Sequence, residues 1–348
     1  MALNRVERLD DLLRVAREVG PTPVAIALPE DPELLLAVRD AVRAGIALPY
    51  LVGDSRRIAA VAEKEGVDLT ELRAQLVEVP NQDGAAEAAR RAVGLVRQGA
   101  AKLLMKGKME TAELLHAVLD REAGLRTGRL LSHVALIEMP GVDRLMYITD
   151  GGVVLFPTLQ QKLEIAKNAV AVAHALGLAE PRIAVLAPAE LVNPEIPATV
   201  DAAALSKMAD RGQITGALVD GPFGLDNAVS RAAAETKGIV GPVAGRADIL
   251  LVPSVEAGNL MAKVMTFMAG GRMAGIVVGA RVPIVITSRA DPHQGKLLSI
   301  ALGVILAAAR DGEGEVAPEA RKGAAPKLGL PGQVPSAREP DRRPAGRK

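Results

Sequence analysis

The strongest constraint on this chain is a repeated alternation. Short runs rich in Val, Ile and Leu are followed by a turn and then by an amphipathic stretch of helical period. Runs at 24–28, 50–52, 102–105, 134–137, 145–148, 183–186, 217–219, 249–252, 276–278 and 282–286 read as strands. Helices are expected between most of them, at 33–43, 84–98, 111–122, 159–176, 200–211, 226–236, 257–268 and 294–310. Asp31 and Pro32 supply an N-cap and a first helical position, and Gly45 closes that helix. Alternation of this kind predicts mainly parallel sheets covered by helices on both faces. The exception is the pair 134–137 and 145–148, which flanks a Pro-Gly turn and reads as a hairpin. A hairpin inside a βα series marks a domain junction. The expectation is therefore α/β, with two three-layer α/β/α domains: residues 1–138 and residues 139–287. The final helix, within 288–310, returns to the first domain. The segment 311–348, rich in Pro, Gly and mixed charge, is expected to be a disordered tail.

Composition narrows the function. Of 348 residues, 49% are apolar but only 1% are aromatic, so the core is built from Ala, Val, Leu and Ile. An aromatic-poor chain lacks the stacking platforms that single-stranded nucleic acids use. The net charge of +1 gives no global field toward nucleic acid or an anionic membrane. With no Cys, the sequence excludes disulfides, Cys-ligated metals and a Cys nucleophile. The four His show no ligand spacing, so no metal site is expected. No apolar run reaches membrane-spanning length and no signal-peptide pattern opens the chain, so a cytoplasmic location is expected.

One segment concentrates chemistry. The apolar run 282–286 ends in Thr287, Ser288, Arg289, Asp291 and His293. Ligands bind where strands of a parallel sheet end, and Arg is a fork-shaped partner for phosphate or carboxylate. Other polar segments flank the strands: Lys106-Gly107, Thr127-Gly128-Arg129 with Ser132, Thr149-Asp150-Gly151-Gly152, Asp220-Gly221-Pro222, and Glu256 with Asn259. Taken together, in this order and spacing over about residues 100–305, the set resembles the phosphate acyltransferase family. Its phosphate butyryltransferase branch is the most similar.

The resemblance implies reversible transfer of a short acyl group between coenzyme A and inorganic phosphate, with butyryl favoured. It implies an active-site cleft between two α/β/α domains, and a homo-oligomer. It implies coenzyme A and phosphate as substrates with no cofactor, coupling to an acyl kinase, and neither a nucleic-acid nor a membrane partner. Arg289 is expected to neutralise charge in the transition state, as the family's Arg in this motif does. Ser288 either donates a hydrogen bond to substrate or caps the turn. Thr127, Gly128, Arg129, Ser132, Lys106 and Gly107 offer donors for phosphate. Glu256, Asn259 and Lys263 are candidates for coenzyme A binding, with helix capping as the alternative for the first two.

The base is left open between Asp291, His293 and water. A thiol has a pKa of about 8.5 and an ordinary carboxylate about 3.9, so direct transfer is uphill by roughly 6 kcal/mol; an imidazole leaves roughly 3 kcal/mol. Energetics favour His293, the family favours a carboxylate, and Asp291 is the first choice. The acetyl-transferring branch places its base further along, near Gly295, which has no side chain to offer. Without Cys, direct attack by coenzyme A thiolate in a ternary complex is the simplest route. Rival readings are acetyl transfer, a non-catalytic acyl-CoA-binding regulatory module, and a metal-dependent decarboxylating dehydrogenase. The last is disfavoured because Asp220, Asp226 and Asp248 are scattered.

Overall fold

Leu9, Leu12, Val15 and Ala16 recur at helical spacing and are all buried, which makes the first element an amphipathic helix the sequence reading passed over. The computed structural model describes residues 5–80 and 84–312. Its helices are α1 (Leu9–Val19), α2 (Pro32–Arg43), α3 (Ser55–Lys64), α4 (Gly84–Arg97), α5 (Thr111–Val118), α6 (Leu159–Ala175), α7 (Pro197–Asp210), α8 (Leu225–Val229), α9 (Arg231–Thr236), α10 (Val255–Lys263) and α11 (His293–Gly312). Its strands are β1 (Thr22–Ala27), β2 (Ala47–Gly53), β3 (Gln75–Glu78), β4 (Leu103–Lys106), β5 (Ser132–Glu138), β6 (Met146–Thr149), β7 (Arg182–Leu186), β8 (Leu218–Phe223), β9 (Ile249–Leu251), β10 (Arg272–Val278) and β11 (Ile284–Val285). The tail expected at 311–348 lies outside the described residues from 313 onward, while 311 and 312 complete α11.

Local chemistry sets several boundaries. The Asp31 carboxylate accepts from Leu34 N at 2.7 Å, with Pro32 in the first turn, so α2 begins as predicted. Asp54 caps α3, which was not anticipated, by accepting from Arg56 N and Arg57 N at 3.0 and 3.1 Å. The helix expected at 111–122 stops at Val118, because the Asp120 carboxylate gathers Glu122 N and Ala123 N into a turn. The helix expected at 226–236 is two, since Ser230 is extended and caps the second by accepting from Ala233 N. The helix expected at 257–268 begins at Val255 and passes into one turn of π-helix, Val264–Met268.

All strands join one sheet in the order β3-β2-β1-β4-β11-β10-β5-β6-β9-β7-β8. The hairpin is present, with Ala135 opposite Ile148 across antiparallel β5 and β6. β10 is antiparallel to both β11 and β5, whereas β11 is parallel to β4. As a result β1–β4, β11 and β5 run one way, and β10, β6, β9, β7 and β8 run the other. The sheet is continuous across the boundary expected at 138, and β11 lies beside β4 among the N-terminal strands.

The two faces are covered differently. On one face, buried residues of α1, α2, α3, α6, α7 and α11 share a single apolar core. On the opposite face the core is split. α4 and α5 cover one part, and α8, α9 and α10 the other. Few aromatics are available, and Tyr147 and Phe223 are the largest fully buried side chains.

Candidate active site

The short strand β11 delivers a tightly built loop. Asp291 accepts from Ser288 N at 2.8 Å, Asp291 N returns a bond to Ser288 O at 3.2 Å, and Ala290 N donates to the Ser288 hydroxyl at 3.3 Å. Asp291 and Ser288 therefore both carry turn geometry in addition to any chemistry. Arg289 points outward from this turn. Its side chain is 64% exposed and pairs with Glu110, itself 70% exposed, across 2.5 Å at the cap of α5.

Lys106 closes β4, the neighbour of β11, and is only 6% exposed. Its ammonium donates to Met109 O at 3.0 Å and Gly107 O at 3.3 Å. Burial holds Lys106 below the ordinary lysine range, and the positive charges of Arg289 and Lys296 add to that, against an opposing pull from Glu110 and Asp31. Two cations from strand ends and one from α11 thus share one neighbourhood. Gly107 is obligatory there: a Cβ would stand 2.0 Å from Leu28 O.

Lys296, which the sequence reading overlooked, sits in the first turns of α11. It is 3% exposed and donates to Asp291 O at 2.6 Å and Ser288 O at 3.1 Å. In sequence it is one Lys entering an apolar helix, with nothing to mark it as buried. His293 turns elsewhere. Its backbone N–H donates to Glu33 at 2.6 Å, and its ring stands 3.5 Å from Glu33 and 4.0 Å from Asp40, both on α2.

The segment before β5 forms a second group. The Thr127 hydroxyl donates to Gly279 O at 2.6 Å, and Gly128 takes a positive φ of 83° that favours glycine. The Arg129 guanidinium donates to the Asn168 side-chain oxygen at 2.7 Å. The Asn168 amide donates to Leu130 O at 2.9 Å and to the buried Ser132 hydroxyl at 2.8 Å. Asn168, unmarked in the sequence, therefore ties Arg129 and Ser132 to α6. Beside this group lies a cavity of about 350 Å³. Leu125, Leu130, Leu131, Val153 and Val154 line it, with Arg126 and Arg129.

Asp150, in the polar segment that follows β6, is buried and accepts from Gly152 N, Val153 N and Val154 N at 2.7, 2.9 and 3.2 Å, and from His133 N at 3.1 Å. The His133 ring is wedged between glycines. A Cβ on Gly275 would stand 2.8 Å from its Nε2, and one on Gly152 3.1 Å from its Cγ. Its Nδ1 is shielded and without a partner. Burial pushes His133 below the ordinary imidazole range, with Asp150 and Asp291 pulling the other way.

Glu256, Asn259 and Lys263 lie on α10, where Glu256 occupies the first turn. Gly258 packs on Gly151 so closely that a Cβ would stand 2.8 Å from its Cα, and the Asn259 amide lies 3.4 Å from Gly151 O. Lys263 rests 5.8 Å from the Phe267 ring centre. Among the described residues, no group of three or more His, Asp or Glu could hold a metal ion, and no helix is long and apolar enough to cross a membrane.

Residues 10–304 match the family described as phosphate acetyl/butaryl transferase. A phosphate butyryltransferase of Clostridium beijerinckii is 44% identical over 302 residues, covering 87% of this chain and 98% of its own. A phosphate acetyltransferase of Rhizobium meliloti is 44% identical over 303 residues, covering 87% and 94%. The crystal structure of a branched-chain phosphotransacylase from Enterococcus faecalis superposes with a TM-score of 0.72 at 34% identity, covering 82% of this chain and 99% of that one. The mixed, mostly parallel sheet with helices on both sides is an α/β fold, and the family match and relatives make the chain an acyltransferase. The chain belongs to the phosphate acetyl/butaryl transferase family.

Proposed function

We propose that the protein moves a short acyl group reversibly between coenzyme A and inorganic phosphate, with butyryl preferred. The observation that carries this is the pairing of β4 with β11, which sets Lys106 beside the loop that bears Arg289 and is held by Lys296. Phosphate and the developing oxyanion both need such charge. Coenzyme A thiolate attacks the acyl phosphate carbonyl carbon, the new C–S bond forms, and the C–O bond to phosphate breaks with its electron pair leaving on phosphate. The thiol proton goes to Asp291 or to solvent. Asp291 is preferred over His293 because it shares the turn with Arg289, while His293 faces α2. Ser288 and Arg289 bind the oxygens that gain charge, and Lys106 with the Gly107 turn holds phosphate. Both substrates are held at once, and no cofactor or metal takes part.

The apolar cavity, with Arg126 and Arg129 among its lining, suits an acyl or pantetheine chain and its anionic end. Gly128 lines it, Thr127 and Ser132 fasten the lining segment through Gly279 O and Asn168, and Glu256, Asn259 and Lys263 contact coenzyme A from α10. The split core on one face supports two lobes, dividing near residue 138, with substrates between them. We place the protein in the cytoplasm, coupled to an acyl kinase, and assembled as a homo-oligomer through the exposed Leu260, Val264, Phe267 and Met268 stripe.

Acetyl transfer is the second reading, favoured by the equal 44% identity to an acetyltransferase. Thiol release from acetyl-, propionyl-, butyryl- and isobutyryl-CoA, with and without phosphate, tests both. Phosphate-dependent release fastest with the four-carbon chains is expected. Phosphate-independent release would contradict the function, and equal or better rates with acetyl-CoA would reverse the chain preference.

A further inference from the structure

We infer that Lys296 is a positioning residue for acyl transfer: its buried ammonium fixes both flanks of Arg289 and so aims that guanidinium at the reacting groups. The inference rests on the reading that Arg289 meets those groups.

A lysine that is 3% exposed is rare, and an ammonium taken out of water must be well satisfied. This one spends hydrogen bonds on Ser288 O and Asp291 O, at 3.1 and 2.6 Å. Those two carbonyls bracket Arg289 and Ala290 in the chain. One charge therefore holds both ends of the turn that presents the outward-pointing guanidinium. Packing does not call for a cation here. The neighbours along α11, Leu298, Ile300 and Ala301, are buried and apolar, and an unbranched apolar side chain would fill the same space. The ammonium is also near enough to Lys106 to press on its charge. It thereby adds to the positive potential behind the proposed phosphate site as well as shaping it.

The test is a double-mutant cycle on the full chain with phosphate-dependent thiol release from butyryl-CoA: wild type, Lys296→Met, Arg289→Ala and the double variant. Lys296→Met is expected to lower kcat about 30-fold while the KM for butyryl-CoA changes less than about threefold. In the Arg289→Ala background the same change is expected to cost less than about threefold, because the residue it aims is gone. Lys296→Gln, which still donates a hydrogen bond, gives the same comparison if the Met variant does not fold. Equal losses in both backgrounds, or an undiminished kcat in Lys296→Met, would overturn the inference. An undiminished kcat in Arg289→Ala would instead overturn the reading of Arg289 on which it rests.

Discussion

Arg289 is paired with Glu110, and both side chains are largely exposed. Exposed ion pairs are weak and easily exchanged, so a phosphate dianion at the site proposed beside Lys106 would compete with Glu110 for the guanidinium. Glu110→Gln should then lower the KM for phosphate about two- to threefold in a phosphate titration at fixed butyryl-CoA, through loss of a competing anion. A raised KM would show that Glu110 helps hold Arg289 in place. Lys106 carries a pH consequence. Burial lowers its proton affinity, so it is charged at low pH and loses its proton, as pH rises, earlier than an ordinary lysine does. The alkaline fall in kcat/KM for phosphate should follow that loss. Arg keeps its charge, so Lys106→Arg should move the fall upward by about one pH unit or more. An unchanged profile would exclude Lys106 as its source. Arg289, Ser288, Asp291 and Lys106 were legible as candidates because strand-ending runs mark where ligands meet a parallel sheet. Lys296 was not, since burial of a single polar residue depends on elements far away in sequence.

At the scale of elements, two joints hold the site. Gly107 brings β4 against the end of β1, with its N–H donating to Ala27 O at 2.8 Å and no room for a Cβ. Gly107→Ala should cost at least about 2–3 kcal/mol, read as a lower denaturant midpoint with an unchanged slope; a neutral result would mean the β1–β4 joint yields. Asn168 ties α6 to the segment before β5 through Leu130 O, Ser132 and Arg129. Asn168→Ala leaves the Leu130 carbonyl without that donor, and should cost about 1–3 kcal/mol by the same measurement. The strand–helix alternation and the β5–β6 hairpin were readable because apolar period and turn residues are local signals. β3 was not: it is a short, largely exposed edge strand, QLVE, without an apolar face. α3 went unseen because it buries only Ile58 and Ala62, whereas α1 was legible in the spacing of Leu9, Leu12, Val15 and Ala16 and was passed over.

For the whole molecule, three successive antiparallel pairings, β11–β10, β10–β5 and β5–β6, join two oppositely running sets of strands, and only the last, a hairpin, has a local pattern to announce it. β11 follows β10 in sequence yet pairs with β4, which carries the loop of Arg289 to Lys106. Family membership was legible because its motifs keep their order along the chain, whatever the strand order. The exposed stripe on α10 and its π-turn predicts self-association, so Phe267→Ser should shift sedimentation toward smaller species, and an unchanged distribution would place the contact elsewhere. In the proposed mechanism one guanidinium, that of Arg289, meets the charge of the transition state. The most direct measurement is kcat for phosphate-dependent thiol release from butyryl-CoA in Arg289→Ala, alongside circular dichroism to confirm an intact fold. A loss of about a hundredfold or more is predicted. Undiminished turnover in a folded variant would contradict it.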